Sequence, residues 1–341
     1  APRPMTRPRA WLTLLGLAMS AVAVALLLRS IDAADTWRRL RSADPLWFLG
    51  ACVVTTASYV VRAVRWGELL STARRPSFRR LFSATMIGFL AINTLPARLG
   101  ELVRAYALSR SERISTATVL GSVAVERLLD LAALGVFWSL SLGVASLPSW
   151  FRWSGWITLG LTVAAAAGFW ALHRFGGWQA LGAETGILRR LPEKPRRALG
   201  LAIPAFGEGV RSIASPPILI RAGLLTAGVW IVTAAVFLMT GAALGMNLPL
   251  WAPCLMAFIV CVGIMVPSSP GFVGVMEGAC VVGLGFMGVG GPEALAYGVL
   301  YHATQLIPLV LLGTWYAVRE HVGGEVLHGV PEASASTKPK K

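Results

Sequence analysis

The sequence predicts an all-α polytopic membrane protein, built as an inverted-topology repeat with two re-entrant helical hairpins. Three observations predict it. Of 341 residues, 55% are hydrophobic and only 14% charged, against about 25% charged in an ordinary soluble domain. Six long runs, at 10–28, 46–61, 119–147, 156–172, 218–244 and 294–318, are mostly apolar, and a helix needs about 20 such residues to cross the hydrocarbon. Two further apolar segments are broken by proline and glycine at corresponding places in the two halves.

The run at 10–28 is too long for the apolar core of a cleaved signal peptide and reads as a retained anchor. The run at 46–61 is somewhat short, and Arg62 and Arg65 at its end are expected to snorkel to the interface. Next, 81–95 runs into Pro96-Ala97-Arg98-Leu99-Gly100-Glu101. After the spans at 119–147, 156–172 and 218–244, the segment 251–266 runs into Pro267-Ser268-Ser269-Pro270-Gly271. A second apolar stretch holding Glu277 follows, then the last span at 294–318. Irregular backbone at membrane depth is tolerated only where it is buried in protein or lines a polar cavity.

Positive charge orients the chain. Arg3, Arg7 and Arg9 precede the first span, and the connection 173–217 carries seven Lys or Arg, so both are expected in the cytoplasm. The stretch 143–155 holds only Arg152, and 245–250 holds no charge, which suits the outside. The segment 29–45 opposes this scheme, because it would lie outside with four arginines. A full crossing by 81–95 would flip every later span, so that segment is expected to enter and leave from the cytoplasm. The segment 251–289 is expected to do so from outside. One transmembrane domain results, with a first repeat at about 10–147, a second at about 156–318, and a cytoplasmic tail at 319–341. Both termini are expected on the cytoplasmic side of the inner membrane. Paired repeats of opposite orientation, each with an interrupted helix, are a transporter pattern, and the breaks point to the substrate site.

The net charge of +15 does not imply nucleic acid. Lys and Arg cluster in the connections between apolar runs, where they attract anionic lipid head groups, and no basic and aromatic module stands outside the spans. Cys52, Cys254, Cys261 and Cys280 lie in apolar segments without CxxC spacing and read as small buried hydrophobes. Four histidines without metal spacing give no zinc site. Ser268 or Ser269 with His302 is a conceivable intramembrane protease dyad, but the Gly-x-Ser-Gly context is missing and Pro270 follows directly. Neither enzymatic activity nor a cofactor is expected.

The chemistry-bearing stretch runs from Asn93 to Arg104. Pro96 and Gly100 break the helix and free backbone groups. Arg98, Glu101 and Arg104 share a face if helix resumes there, and Asn93 stands ready to cap or bridge. The simpler reading is an interfacial helix whose arginines snorkel to head groups. Within the long apolar run, Glu126 and Asp130 lie one turn apart, with Arg127 in reach of Asp130. These charges either lock helix packing as an internal salt bridge or tune an arginine site for an anion. Arginine suits phosphate because its planar fork pairs bidentately. Glu277, beside the breaks at Pro267, Pro270 and Gly271, is expected to be protonated, paired or near water. His302 and Gln305, one turn apart in the last span, either line the same cavity or make ordinary interhelical hydrogen bonds.

The order Asn93-x-x-Leu95-Pro96-x-Arg98-x-Gly100-Glu101-x-x-Arg104, then Glu126-Arg127-x-x-Asp130, then Pro270-Gly271-x-x-Gly274-x-x-Glu277 resembles the flippase-like transmembrane family, which includes the membrane domain of lysylphosphatidylglycerol synthases. The resemblance covers nearly the whole chain. It departs at Ser268-Ser269-Pro270-Gly271-Phe272, where a glycine-richer turn is expected. It implies translocation of a phospholipid or lipid-linked anionic head group between leaflets. Arg98 and Arg127 would hold the phosphate, and Glu101, Glu126, Asp130 and Glu277 would set the charge balance. Those synthases also carry a soluble synthase domain; the chain ends about 20 residues past the last span, so aminoacylation is not expected of it. Membrane lipids are the expected partners. A scaffold for a separate lipid-modifying enzyme and a small-solute transporter are the alternatives.

Overall fold

The computed structural model of the protein describes residues 21–22, 25, 31–95, 99–143, 147–182, 192–265 and 269–320. The first apolar run and the C-terminal tail therefore fall largely outside it, as do Pro96, Arg98 and Pro267. Among the described residues the regular structure is all helical. The helices are α1 (Ala33–Arg41), α2 (Pro45–Leu70), α3 (Phe78–Thr94), α4 (Gly100–Glu112), α5 (Thr116–Leu142) and α6 (Ser149–Arg174), then α7 (Gly177–Gly182), α8 (Glu193–Val210), α9 (Pro216–Ala243), α10 (Ala252–Met265), α11 (Val275–Gly285) and α12 (Gly291–Arg319).

Four of them, α2, α6, α9 and α12, are long and apolar enough to cross a bilayer. α5 has the length, with 27 residues, but carries Glu126, Arg127 and Asp130 in its middle. The outer surface is apolar: Leu46, Val53, Leu161, Leu224 and Ile231 are all exposed. Trp150, Trp153 and Trp156 stand exposed near the start of α6, the distribution of an aromatic belt at a membrane interface.

Sequence-local chemistry sets the helix ends. Asp44 caps α2 by accepting from the Leu46 N–H at 2.8 Å, and Pro45 takes the first helical position, where a missing N–H is harmless. The Asp44 N–H donates to the Ala243 carbonyl at 2.7 Å, tying the start of α2 to the end of α9, against which it packs along its length. α1 is an amphipathic helix capped by Asp32. Arg39 pairs with Glu293 on α12 at 3.5 Å, so the arginine-bearing segment 29–45 is partly tied down to the bundle.

Both broken segments fold back on themselves. A Cβ on Gly88 would strike Arg104 Cβ, and one on Gly100 would strike the Ile92 nitrogen; α3 and α4 are thus antiparallel, and only glycine permits their approach. In the second pair, Gly263 lies against Ala279 and Gly283 against Met256, so α10 and α11 are antiparallel as well. The Pro270–Phe272 turn that joins the second pair touches α3, and the two folded-back pairs meet inside the bundle.

Two expectations need correcting. The short run at 46–61 is part of a 26-residue helix that continues to Leu70, so Arg65 is not at an interface: it is fully buried. The connection 173–217 is not a plain loop. It holds α7 and α8, and α8 packs on α5 so closely that a Cβ on Gly209 would strike the Thr118 carbonyl.

Candidate functional site

α2 presents Tyr59, Arg62 and Arg65 at intervals of three, on one face. α5 presents Glu126, Arg127 and Asp130, and α4 presents Glu101 and Arg104. Arg65 Nη1 donates to Asp130 Oδ1 at 2.6 Å and to Thr226 Oγ1 at 3.1 Å, while its Nη2 donates to Glu126 Oε1 at 3.0 Å and Asp130 Oδ2 at 3.2 Å. Arg104 Nη2 lies 3.0 Å from Glu126 Oε2, and its guanidinium stacks 3.7 Å from the Trp66 ring centroid, whose Nε1 donates to Ser122 Oγ at 3.0 Å. Arg127 spans three acids: Glu126 at 3.2 Å, Glu101 at 3.3 Å and Asp130 at 3.3 Å.

Isolated charges at these positions would cost at least about 2.5 kcal/mol each in a bilayer. Pairing offsets that cost, and breaking a pair leaves an uncompensated buried charge. Arg65, Arg104 and Glu126 are fully buried, whereas the Arg127 side chain is 38% exposed. Arg127 is therefore the accessible edge of the cluster.

Beside the cluster lies a cavity of about 140 Å³, comparable to sites that hold a benzene-sized group. Tyr59 comes to it from α2, Phe89, Ile92 and Asn93 from the first folded-back pair, Phe272 and Met276 from the second, and His302 and Gln305 from α12. Tyr59 Oη donates to the Gln305 carbonyl at 3.0 Å, and Gln305 Nε2 donates to Thr55 Oγ1 at 3.3 Å. Phe272 has φ 58°, a left-handed conformation that costs a non-glycine residue about 1–3 kcal/mol and clusters at ligand sites. Glu277 is held from two sides: its Oε2 accepts from the Gly274 N–H at 2.7 Å, and its Oε1 lies 2.7 Å from His302 Nδ1. The other ring nitrogen, Nε2, is buried with no hydrogen-bond partner among the described residues.

Most residues singled out from sequence converge here. Asn93, His302 and Gln305 line one cavity; Glu101, Arg104, Glu126, Arg127 and Asp130 form one network; Gly271 shapes the turn; Glu277 takes the paired alternative. Arg104 does not snorkel but is sealed in the core. Arg98, Pro96 and Pro267 lie outside the described residues. Sequence reasoning missed Arg65, Tyr59, Trp66 and Thr226. For Arg65 a signal existed, since Val64, Trp66, Leu69 and Leu70 continue a helix past it.

Helices with a lipid-compatible exterior around a buried, paired charge network define a polytopic integral membrane protein with a polar interior. The chain belongs to the family described as the lysylphosphatidylglycerol synthase transmembrane region, whose profile matches residues 13–313. Among curated proteins it is similar to the glycosyltransferase AglD of Haloferax volcanii, 26% identical over 323 residues, covering 85% of this chain and 51% of that protein. It is also similar to a UPF0104 membrane protein of Methanothermobacter thermautotrophicus, 25% identical over 291 residues, covering 80% of this chain and 84% of the relative. The chain thus spans about half the length of the first relative and most of the second.

Proposed function

We propose that this protein moves a phospholipid or lipid-linked anionic head group between the leaflets of the cytoplasmic membrane, without covalent chemistry of its own. One observation carries the reading: a cavity between two folded-back helix pairs adjoins, along one face of α2, a guanidinium–carboxylate network in the bundle core. The order of elements supports an inverted repeat, since α2, α3/α4 and α5 run parallel in sequence logic to α9, α10/α11 and α12. Rocking of two such halves around the shared site would expose it to each leaflet in turn. Arg127, the accessible edge, and Arg98 would meet the phosphate, with Glu101, Glu126, Asp130 and Glu277 balancing charge; Asn93, His302 and Gln305 would hold the rest of the head group.

The likeness to the glycosyltransferase AglD favours a second reading, in which this domain supports a separate enzyme acting on a lipid-linked substrate. Reconstitution separates the two. Pure protein in liposomes should carry a fluorescent phospholipid from the inner to the outer leaflet, where a membrane-impermeant quencher reaches it. Quenching confined to the outer-leaflet pool, as in protein-free vesicles, would contradict translocation. The topology is part of the proposal: a cysteine replacing Thr185, in the basic connection, should be labelled from the cytoplasmic side, and labelling only from outside would defeat the orientation.

A further inference from the structure

The cavity wall offers acceptors, not donors. Its two amides are oriented by partners that can play only one role. Asn93 Nδ2 donates to the Phe89 carbonyl at 3.0 Å. Thr304 spends its hydroxyl proton on the Tyr301 carbonyl at 2.7 Å, so it accepts from Gln305 Nε2 at 3.3 Å. That nitrogen also reaches Thr55 Oγ1 at 3.3 Å, and Tyr59 gives its proton to the Gln305 carbonyl. Each of these donor groups is engaged. Asn93 Oδ1 and Gln305 Oε1 keep their lone pairs, with no hydrogen-bond partner among the described residues.

His302 adds a third acceptor. Glu277 Oε2 takes the Gly274 N–H, and Oε1 faces His302 Nδ1. A carboxylate at Nδ1 assigns the ring proton to that nitrogen, so the neutral imidazole carries a lone pair on Nε2. His302 lines the cavity and is only 6% exposed. A buried acceptor left unpaired in a polar cavity is a place for a ligand's donor. Around these atoms stand the rings of Tyr59, Phe89 and Phe272, which suit the C–H faces of a small carbon skeleton.

Three head-group chemistries compete for such a wall. A phosphodiester only accepts, and lone pairs on the wall repel it. An ammonium would donate and could rest on the rings, but a buried charge needs a counter-charge. No carboxylate stands among the lining residues, and both oxygens of Glu277 are taken. A hydroxyl donates without charge. Resting on the translocator reading, we propose that the cavity receives the uncharged, hydroxylated end of the lipid head group, a polyol of about glycerol's size, with His302 Nε2 accepting one of its hydroxyl protons. The volume of about 140 Å³ suits a moiety of that size. The phosphate stays with the arginines.

The test titrates three phosphodiester lipids with identical acyl chains into the purified full chain in detergent, with binding read by native mass spectrometry. Phosphatidylglycerol carries the hydroxyls, phosphatidylpropanol has the same carbon skeleton without them, and phosphatidylethanolamine ends in an ammonium. The wild type should bind phosphatidylglycerol at least about fivefold more tightly than phosphatidylpropanol, the factor that one net hydrogen bond supplies, and more tightly than phosphatidylethanolamine. His302→Phe should remove most of that preference while leaving phosphatidylpropanol binding unchanged. Asn93→Leu, at a half-buried position, should reduce the preference in the same sense, and it keeps the proposal testable if His302→Phe does not fold. Equal binding of phosphatidylglycerol and phosphatidylpropanol by the wild type would overturn the proposal, as would a preference left intact in folded His302→Phe. Tighter binding of phosphatidylethanolamine would make the cavity an ammonium site and overturn it too. Soluble glycerophosphoglycerol that displaced the lipid at equal concentration would overturn the lipid as the source of the polyol. Translocation in liposomes without hydroxyl-selective binding sinks this inference alone; hydroxyl-selective binding without translocation sinks the translocator reading and leaves the cavity assignment standing.

Discussion

The two folded-back helix pairs share a geometry and differ in chemistry. In the first, α4 contributes Glu101 and Arg104 to a network of buried charges with α2 and α5. In the second, the sole carboxylate is Glu277, and it is occupied by one backbone N–H and one imidazole. The fold-back is common to both pairs because close helix approach depends on small residues, Gly88 and Gly100 in the first and Gly263 and Gly283 in the second. The charges differ because each requires its own partners. Here the first pair joins the buried charge network, while the second lines the cavity and holds His302 through Glu277.

Substitutions break or sharpen that contrast. The largest effect should come from Glu126→Ala, which leaves Arg65 and Arg104 buried with too few acids; loss of one partner of such a pair costs about 3–5 kcal/mol, and thermal unfolding in detergent should show it as a large drop in midpoint. Glu277→Gln removes a charge-assisted bond but can still accept from Gly274, so about 1.5–3 kcal/mol is expected by the same measurement. Equal losses from the two would mean that the pairs are chemically equivalent after all. Gly100→Ala should cost about 1–3 kcal/mol, because the new methyl meets the Ile92 backbone. The smallest effect belongs to Arg221→Ala. Its pair with Glu68 spans 3.4 Å, and the arginine side chain is 59% exposed, so solvent screening should hold the change within about 0.5 kcal/mol.

Much of this was legible in the sequence where a residue violates its own surroundings. Glu126, Arg127 and Asp130 stand out in an apolar run, and Pro270 and Gly271 stand out in a would-be span. Each anomaly is local, so reading it needs no partner. Arg65 was hidden for the opposite reason: at the edge of an apolar run it resembles any interfacial arginine, and only the packing of α5 and α9 against α2 shows it to be interior. The helices within 173–217 were masked by charge, which reads as a loop until α8 is seen lying on α5. The His302–Glu277 pair was foreseen only as two separate polar residues, since 25 residues and a helix turn-back separate them.

Translocation requires a head group to enter the bundle at the cavity, and photocrosslinking tests that directly. A photoreactive phenylalanine analogue would replace Asn93, which lines the cavity, or Leu161, which is 65% exposed on the outer face of α6. Each variant would be reconstituted with a phosphodiester lipid carrying an isotope label in the head group only, and crosslinked peptides would be mapped to the lipid atom bonded. The head group should be captured at position 93 and acyl chains at position 161. Capture of acyl chains alone at position 93, with no head-group adduct, would contradict the account.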